Sequence, residues 1–242
     1  TVLMVGSAPA YPQGVVDPIT ELAPLAKERN ILFHVDSCIG FMLPFVRKLG
    51  YQVPEYDFKV PGVTSISIDL HKYAYAAKGA SVILYRTKEL RRHQFFVYTD
   101  WPGGIYGSPS MTGTRAGGAI AAAWAIMTHL GEEGYLSITK TMMETVKKIT
   151  AGVNSIEGVC ILGEPDGTVM AIGSEELDIY AVGDEMSLRG WHLDRQQFPA
   201  CLHLTVTHAH SFAVDAFLND LRESAEKAKK LGWGNLTETV KL

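Results

Sequence analysis

Ile31-Leu32-Phe33-His34-Val35-Asp36 is an apolar run that closes on a carboxylate, and Ser65-Ile66-Ser67-Ile68-Asp69-Leu70-His71-Lys72 is a second run that closes on an amine. Each reads as a buried strand, the second over residues 63–69. Before the first run, residues 17–28 carry Ile19, Leu22, Ala23, Leu25 and Ala26 at the helical repeat, with Asp17 as N-cap and Pro18 at the first helical position. Residues 2–5 form a further apolar run, so the order is strand, helix, strand, the unit of a parallel sheet. Ligands of such sheets gather at the carboxyl ends of the strands. A carboxylate and an amine delivered to that edge are what pyridoxal phosphate requires. The lysine condenses with the aldehyde, and the aspartate keeps the pyridine nitrogen protonated so that the ring can take up a carbanion's electrons.

Composition narrows the class. At 242 residues and 47% hydrophobic content the chain is long enough for a substantial core in one or two domains. A net charge of -4 without a long basic block gives no support for nucleic-acid binding. Cys38, Cys160 and Cys201 are odd in number and lack the short spacing of a metal site, which points to a reducing, intracellular compartment. No apolar run reaches the ~18 residues of a membrane span. The opening residues have neither the basic flank nor the length of a signal peptide. They read at once as a core strand, so an upstream portion is expected to be missing.

Beyond the lysine, residues 79–85 read as a strand returning beside the second run. Residues 101–115 hold four glycines and two prolines and read as a long loop. Residues 117–130 are apolar on nearly every face, as in a buried helix, with Gly131 as its stop. An amphipathic helix is expected over 132–156. Strands are then expected at 159–162, 169–172 and 202–206, and helices at 179–189 and 212–231. The reading is an α/β chain with a domain of residues 1–150 and a small α+β domain of residues 151–242.

Several segments together resemble a known family. They are Gly6-Ser7-Ala8-Pro9, His34-Val35-Asp36-Ser37-Cys38, Gly62-Val63-Thr64-Ser65-Ile66-Ser67, His71-Lys72-Tyr73 with Lys78-Gly79, Thr99-Asp100-Trp101-Pro102-Gly103-Gly104, Tyr106-Gly107-Ser108-Pro109 and Gly131-Glu132-Glu133-Gly134-Tyr135. In order and without large gaps they resemble the sphingosine-1-phosphate lyases, within the wider group of pyridoxal phosphate decarboxylases. The wider group shares the His-Val-Asp and His-Lys pieces. The Thr-Asp-Trp-Pro-Gly-Gly stretch and the two lysines six apart favour the lyases.

The resemblance implies a fold type I pyridoxal phosphate transferase-like architecture, comprising the C-terminal part of the large domain and the small domain. It implies a homodimer with shared active sites, acting on sphingoid base phosphates such as sphingosine 1-phosphate. These are cleaved between C2 and C3 in a retro-aldol step to a fatty aldehyde and phosphoethanolamine. It implies a cytoplasmic catalytic part, with an endoplasmic reticulum membrane anchor upstream if the source is eukaryotic. It assigns Lys72 and Lys78 to catalysis, and Asp36, His71, Lys72, Ser7, Ser108 and Gly113 to pyridoxal 5'-phosphate. The loop carrying Ser108 and Gly113 would reach the partner subunit's cofactor. A lysine acting as a base needs its pKa drawn below ~10.4, which two lysines in one pocket would achieve.

Each residue also has a plainer reading. Lys72 is a surface lysine at a strand end, Asp36 a helix cap and His71 a packed or solvated histidine. Lys78 is an ordinary loop lysine, Ser7 a turn residue, and the 106–115 loop a polar cap on the following helix. His34 shares a face with Asp36, either supporting it or satisfied within the core. Cys38 reads as buried packing. His208-Ala209-His210 lacks a third zinc ligand. Asn235-Leu236-Thr237 fits a glycosylation acceptor that a cytosolic chain would never use.

The chain departs from the family at Ala74, where glycine is usual, at Ala77, where proline is common, and at Ser37 in place of alanine. Ala74 would constrain its turn if that turn required positive φ. The family's phosphate cradle and ring-stacking histidine belong to the region before residue 1. Two rivals stand beside the lyase: an amino-acid decarboxylase using the same Asp36 and Lys72, and a non-catalytic scaffold that keeps the fold.

Overall fold

The computed structural model describes residues 1–232. The chain divides into two compact units, one of residues 1–9, 16–44 and 53–133 and the other of residues 10–15, 45–52 and 134–242. The sequence-based division at residue 150 falls inside a helix that both units share. The Asn235-Leu236-Thr237 acceptor lies outside the described residues.

The first unit is built on the sheet β1-β2-β3-β4, formed by Leu3–Ser7, Leu32–Asp36, Val63–Asp69 and Ser81–Tyr85. β1, β2 and β3 are parallel, and β4 returns antiparallel to β3 as its sequence leads one to expect. Helix α1 (Ile19–Glu28) buries Ile19, Ala23 and Ala26 against Phe33, Val35, Val63 and Ile66, forming a core on one face of the sheet. Phe33, Val35 and Val63 are fully enclosed. The guanidinium of Arg86, just past β4, donates to the carbonyls of Phe58, Val60 and Val63 and fixes the approach to β3.

Asp17 does not cap α1. Pro18 occupies the N-cap and no side chain caps the helix. The Asp17 carboxylate instead accepts the Ser7 main-chain N–H at 2.7 Å. β1 is an edge strand, so some of its N–H groups face away from β2 and must find acceptors elsewhere. That demand outweighs the cap.

After β2 a 3₁₀ turn (Gly40–Met42) leads into α2 (Leu43–Lys48). A short helix α3 (Lys88–Arg92) follows β4, capped by the Thr87 hydroxyl. The segment expected to be loop throughout contributes β6 (Tyr106–Ser108), which pairs antiparallel with β5 (Phe96–Tyr98). Helix α4 (Gly117–Asn154) is broken at Gly131, whose φ of 56° and ψ of -171° end the first helical segment where the sequence places its stop. The expectation of a buried helix over 117–130 is not met. Ala123 is buried, whereas Ile120 and Trp124 are 58% and 71% exposed. Its apolar faces outnumber the surfaces that the first unit offers them.

The second unit packs an antiparallel sheet β7-β8-β10-β9, formed by Cys160–Ile161, Val169–Gly173, Cys201–Thr205 and Asp194–Gln196, against α5 (Ile179–Leu188) and α6 (Val214–Leu231). Met170, Ile172, Val182, Met186, Leu202 and Leu221 form its fully buried centre. Buried His203 bonds the Pro12 carbonyl through Nδ1 and packs its ring at a tilt against Tyr11, which fastens segment 10–15 to this unit. His210 is tied locally, its Nδ1 accepting the Thr207 N–H at 2.8 Å. No helix among the described residues is long and apolar enough to cross a membrane.

Gly40 sits where the β2–α2 turn meets the end of β1. A Cβ there would lie 2.0 Å from the Ala8 carbonyl oxygen and 2.1 Å from Ser37 Oγ. Gly40→Ala is therefore expected to destabilise the chain by about 1–3 kcal/mol, the usual cost of overpacking. Thermal unfolding followed by circular dichroism should fall by several degrees; an unchanged midpoint would show that the turn relaxes freely.

Candidate active site

Parallel pairing places Ser7 opposite Asp36 and Asp36 opposite Ser67, at the carboxyl ends of β1, β2 and β3. Register partners leave a sheet on the same face, and so do residues two apart along a strand. Ser7, His34, Asp36, Ser65, Ser67 and Asp69 thus share the face opposite the α1 core. This face is polar because its serines, histidine and carboxylates alternate with the apolar residues that face α1.

His34 bridges two serines of β3, with Nδ1 at 2.8 Å from Ser65 Oγ and Nε2 at 3.1 Å from Ser67 Oγ. Ser67 in turn donates to Asp36 Oδ1 at 3.4 Å. A serine has one proton, so Ser67 accepts from Nε2–H and Ser65 donates to Nδ1. The relay therefore runs from Ser65 through His34 and Ser67 to Asp36. Burial pushes the imidazole pKa down, and the nearby Asp36 charge only partly opposes this. Asp36 Oδ1 also accepts the Cys38 N–H at 3.0 Å. Both bonds converge on Oδ1, so neither occupies Oδ2.

Ser37 is buried and donates from its hydroxyl to the Ala8 carbonyl at 2.7 Å, a clasp between the turn and the end of β1. Cys38 is half-buried, with the Lys72 amine and the Asp36 carboxylate as the charged neighbours of its thiol. Burial pushes the thiol pKa up. The Asp69 N–H donates to the Cys38 carbonyl at 3.3 Å, joining the end of β3 to the same turn.

Lys72 follows in a tight loop held by hydrogen bonds from the N–H groups of Lys72, Tyr75 and Ala76 to the carbonyls of Asp69, Lys72 and Leu70. Its Nζ is 2.9 Å from Asp69 Oδ2. Burial alone would lower the lysine's pKa, but the hydrogen bonds and charges of Asp69 and Cys38 outweigh it and hold the ammonium above its ordinary value. The expected depression by a second lysine is not what governs Lys72 here. Lys78 is exposed and makes no hydrogen bond or ion pair among the described residues. Ala74 is buried, and the left-handed residue of the turn is Tyr75, at φ 60°, so alanine at 74 imposes no strain.

His71 donates from Nδ1 to the Ala80 carbonyl at 2.9 Å, which leaves Nε2 for an outside partner. The Ser7 hydroxyl has no hydrogen-bond partner among the described residues. Ser108 donates to the Ser110 carbonyl, and Gly113, at φ 67°, donates its N–H to the same oxygen. No hydrogen bond joins this loop to the Asp36–Lys72 cluster among the described residues. The loop instead borders a groove of about 740 Å³ lined by Ser81, Thr112, Thr114, Arg115, Ile120 and Trp124.

Asp36 and Lys72 thus lie on either side of Cys38 at one sheet edge, an acid and an amine flanking one thiol. Sequence reasoning missed Asp69 and the serines at 65 and 67. Their two-residue alternation with His34 and Asp36 on the neighbouring strand was the available signal.

The family model described as "Pyridoxal-dependent decarboxylase conserved domain" matches residues 7–170, and the chain belongs to that family. It is 52% identical over 230 residues to the sphingosine-1-phosphate lyase of Arabidopsis thaliana, covering 95% of this chain and 42% of that protein. The chain therefore spans less than half the length of that relative. The solved structure of sphingosine-1-phosphate lyase from Burkholderia pseudomallei superposes with a TM-score of 0.91 at 46% identity, covering 95% of this chain and 53% of that one. A glutamate decarboxylase from Lactobacillus brevis superposes at 0.76 with 16% identity, over 93% of this chain and 55% of that one, a likeness of fold alone.

His34 has a folded pKa below its reference of 6.5. A depressed folded pKa means that the unfolded chain binds more protons, so stability is full above about pH 6.5 and declines as pH falls towards the folded value. His203, depressed by burial, acts in the same direction. Urea unfolding midpoints should drop between pH 7.5 and 5.5, and His34→Gln should flatten part of that drop. An identical pH dependence in the variant would remove His34 from the account.

Proposed function

We propose that the protein is a pyridoxal phosphate-dependent carbon–carbon lyase that cleaves long-chain base phosphates between C2 and C3, giving a fatty aldehyde and phosphoethanolamine. The observation that carries this reading is the meeting of Asp36 and Lys72 at the edge of the parallel sheet, in a chain 52% identical to a sphingosine-1-phosphate lyase. When bound, the cofactor would supply an electron sink for the carbanion left at C2.

Lys72 would hold the cofactor's aldehyde carbon until the substrate amine displaces it, and either Lys72 or Lys78 would then deliver a proton to C2. Asp36 would keep a proton on the pyridine nitrogen, its carboxylate fixed in direction by the Cys38 amide and Ser67. His71 Nε2 and the Ser7 hydroxyl would face the cofactor, with His71 directed at its phosphate.

Ser108 and Gly113 would act on the partner subunit's cofactor in a homodimer. In support, Ile120, Trp124, Phe96, Val97 and Ile105 form exposed apolar surface on the first unit, of the kind an interface covers. The catalytic part would lie in the cytoplasm, with any membrane contact supplied by a segment outside this sequence and, in a eukaryote, at the endoplasmic reticulum.

The amino-acid decarboxylase reading shares Asp36 and Lys72 and differs in product. Incubation with sphinganine 1-phosphate should release long-chain aldehyde, whereas carbon dioxide from common amino acids would favour the decarboxylase. Lys72→Ala should abolish the near-visible absorbance of bound cofactor together with turnover. Asp36→Asn should keep the chain folded and lower kcat on the order of 10²–10³-fold, as expected when a charge aligned with the transition state is removed. A Lys72→Ala protein that keeps both absorbance and activity would sink this assignment.

A further inference from the structure

The Lys72 ammonium has a defined berth. Nζ stands 2.9 Å from Asp69 Oδ2, with the Cys38 thiol as a second neighbour. The berth is built rather than incidental. Asp69 ends β3 opposite Ser81 of β4, and the Ser81 hydroxyl donates to Asp69 Oδ1 at 2.6 Å, leaving Oδ2 for the lysine. The Lys72 N–H donates to the Asp69 carbonyl, so main chain and side chain of the two residues are bonded together. The other titratable groups facing the pair are His71, whose Nε2 is 3.9 Å from Asp69 Oδ2, and Cys38 and Asp36 from the turn after β2. Of these charges Asp69 is the one in direct contact with the ammonium.

We propose that Asp69 is a positioning residue that docks the Lys72 ammonium whenever that lysine is not bonded to cofactor, and so sets the pH at which it becomes reactive. The proposal rests on the reading of Lys72 as the cofactor-bearing lysine. Condensation needs the nitrogen's lone pair. The ammonium gives one proton to solvent, the neutral amine adds to the aldehyde carbon, and the carbonyl oxygen leaves as water. A carboxylate at 2.9 Å opposes the first of these steps by stabilising the charged form. It also keeps the side chain at the sheet edge beside Cys38 and Asp36, where the aldehyde is needed. Asp69 thus trades speed of loading for placement of the amine.

The test uses the full-length protein stripped of cofactor and mixed with pyridoxal 5'-phosphate, following the rate at which the near-visible band appears as a function of pH. In Asp69→Asn the midpoint of that profile should move down by about one pH unit, equivalent to about tenfold faster loading at a fixed pH below it. Asp69→Glu should restore the profile towards wild type. A merely structural role would change amplitude or stability and leave the midpoint in place. Should Asp69→Asn fail to fold, Ser81→Ala, which frees the carboxylate to swing from the lysine, should move the midpoint in the same direction by less. An unmoved midpoint in the folded variant, with wild-type loading intact, overturns the role of Asp69. Wild-type protein whose band persists in Lys72→Ala would overturn the underlying functional reading instead.

Discussion

Everything at the candidate site depends on the lateral register of three parallel strands. Side chains in a strand alternate between faces, so a slip of one residue in β2 would turn Asp36 and His34 into the α1 core and put Phe33 and Val35 at the site. The register is fixed from the apolar side. Phe33, Val35 and Val63 are fully enclosed beneath α1, and each would expose most of its surface after a slip, a loss of about 1.5–3 kcal/mol per side chain. The polar face is therefore positioned by the packing of the face it does not share.

Alignment alone would leave Asp36 a mobile carboxylate at a strand end. Its direction comes from short-range hydrogen bonds: the Cys38 amide on one side, and on the other the relay from Ser65 through His34 to Ser67. The relay holds together only while His34 is neutral, since a doubly protonated ring has no acceptor for the Ser65 hydroxyl. Burial, by disfavouring the imidazolium, preserves the state that the relay needs. The turn beyond Asp36 is clasped to β1 through Ser37 and Ala8 and to β3 through Cys38 and Asp69. Three strand ends are thereby joined around one carboxylate.

Much of this was legible in the sequence where a single periodicity governed. β2, β3, β4 and α1 lie within a residue or two of their expected limits, because apolar alternation or the helical repeat ran uninterrupted through each. Asp36 closes β2 as its run does, whereas Lys72 lies past the end of β3, in the turn that follows Asp69. Asp17 was misread because a cap and an acceptor for an edge strand look alike in sequence, and only the pairing of β1 with β2 alone distinguishes them. β5, β6 and β9 have three residues each, too few to declare a period. The part played by Asp69 was invisible because it depends on a loop closing the three residues from 69 to 72, with Ser81 approaching from another strand.

The berth of Lys72 exposes a conflict between stability and reactivity. A partly buried ammonium loses hydration and must recover it from a partner, and Asp69 at 2.9 Å supplies one. The same partner makes the nitrogen less nucleophilic, because the lone pair is tied up in the form that the carboxylate favours. A site with no such carboxylate would hold a more reactive amine in a less certain place. Orientation can contribute several kcal/mol to a bimolecular step, which gives a physical reason for a carboxylate beside the very nitrogen whose lone pair the proposed chemistry requires.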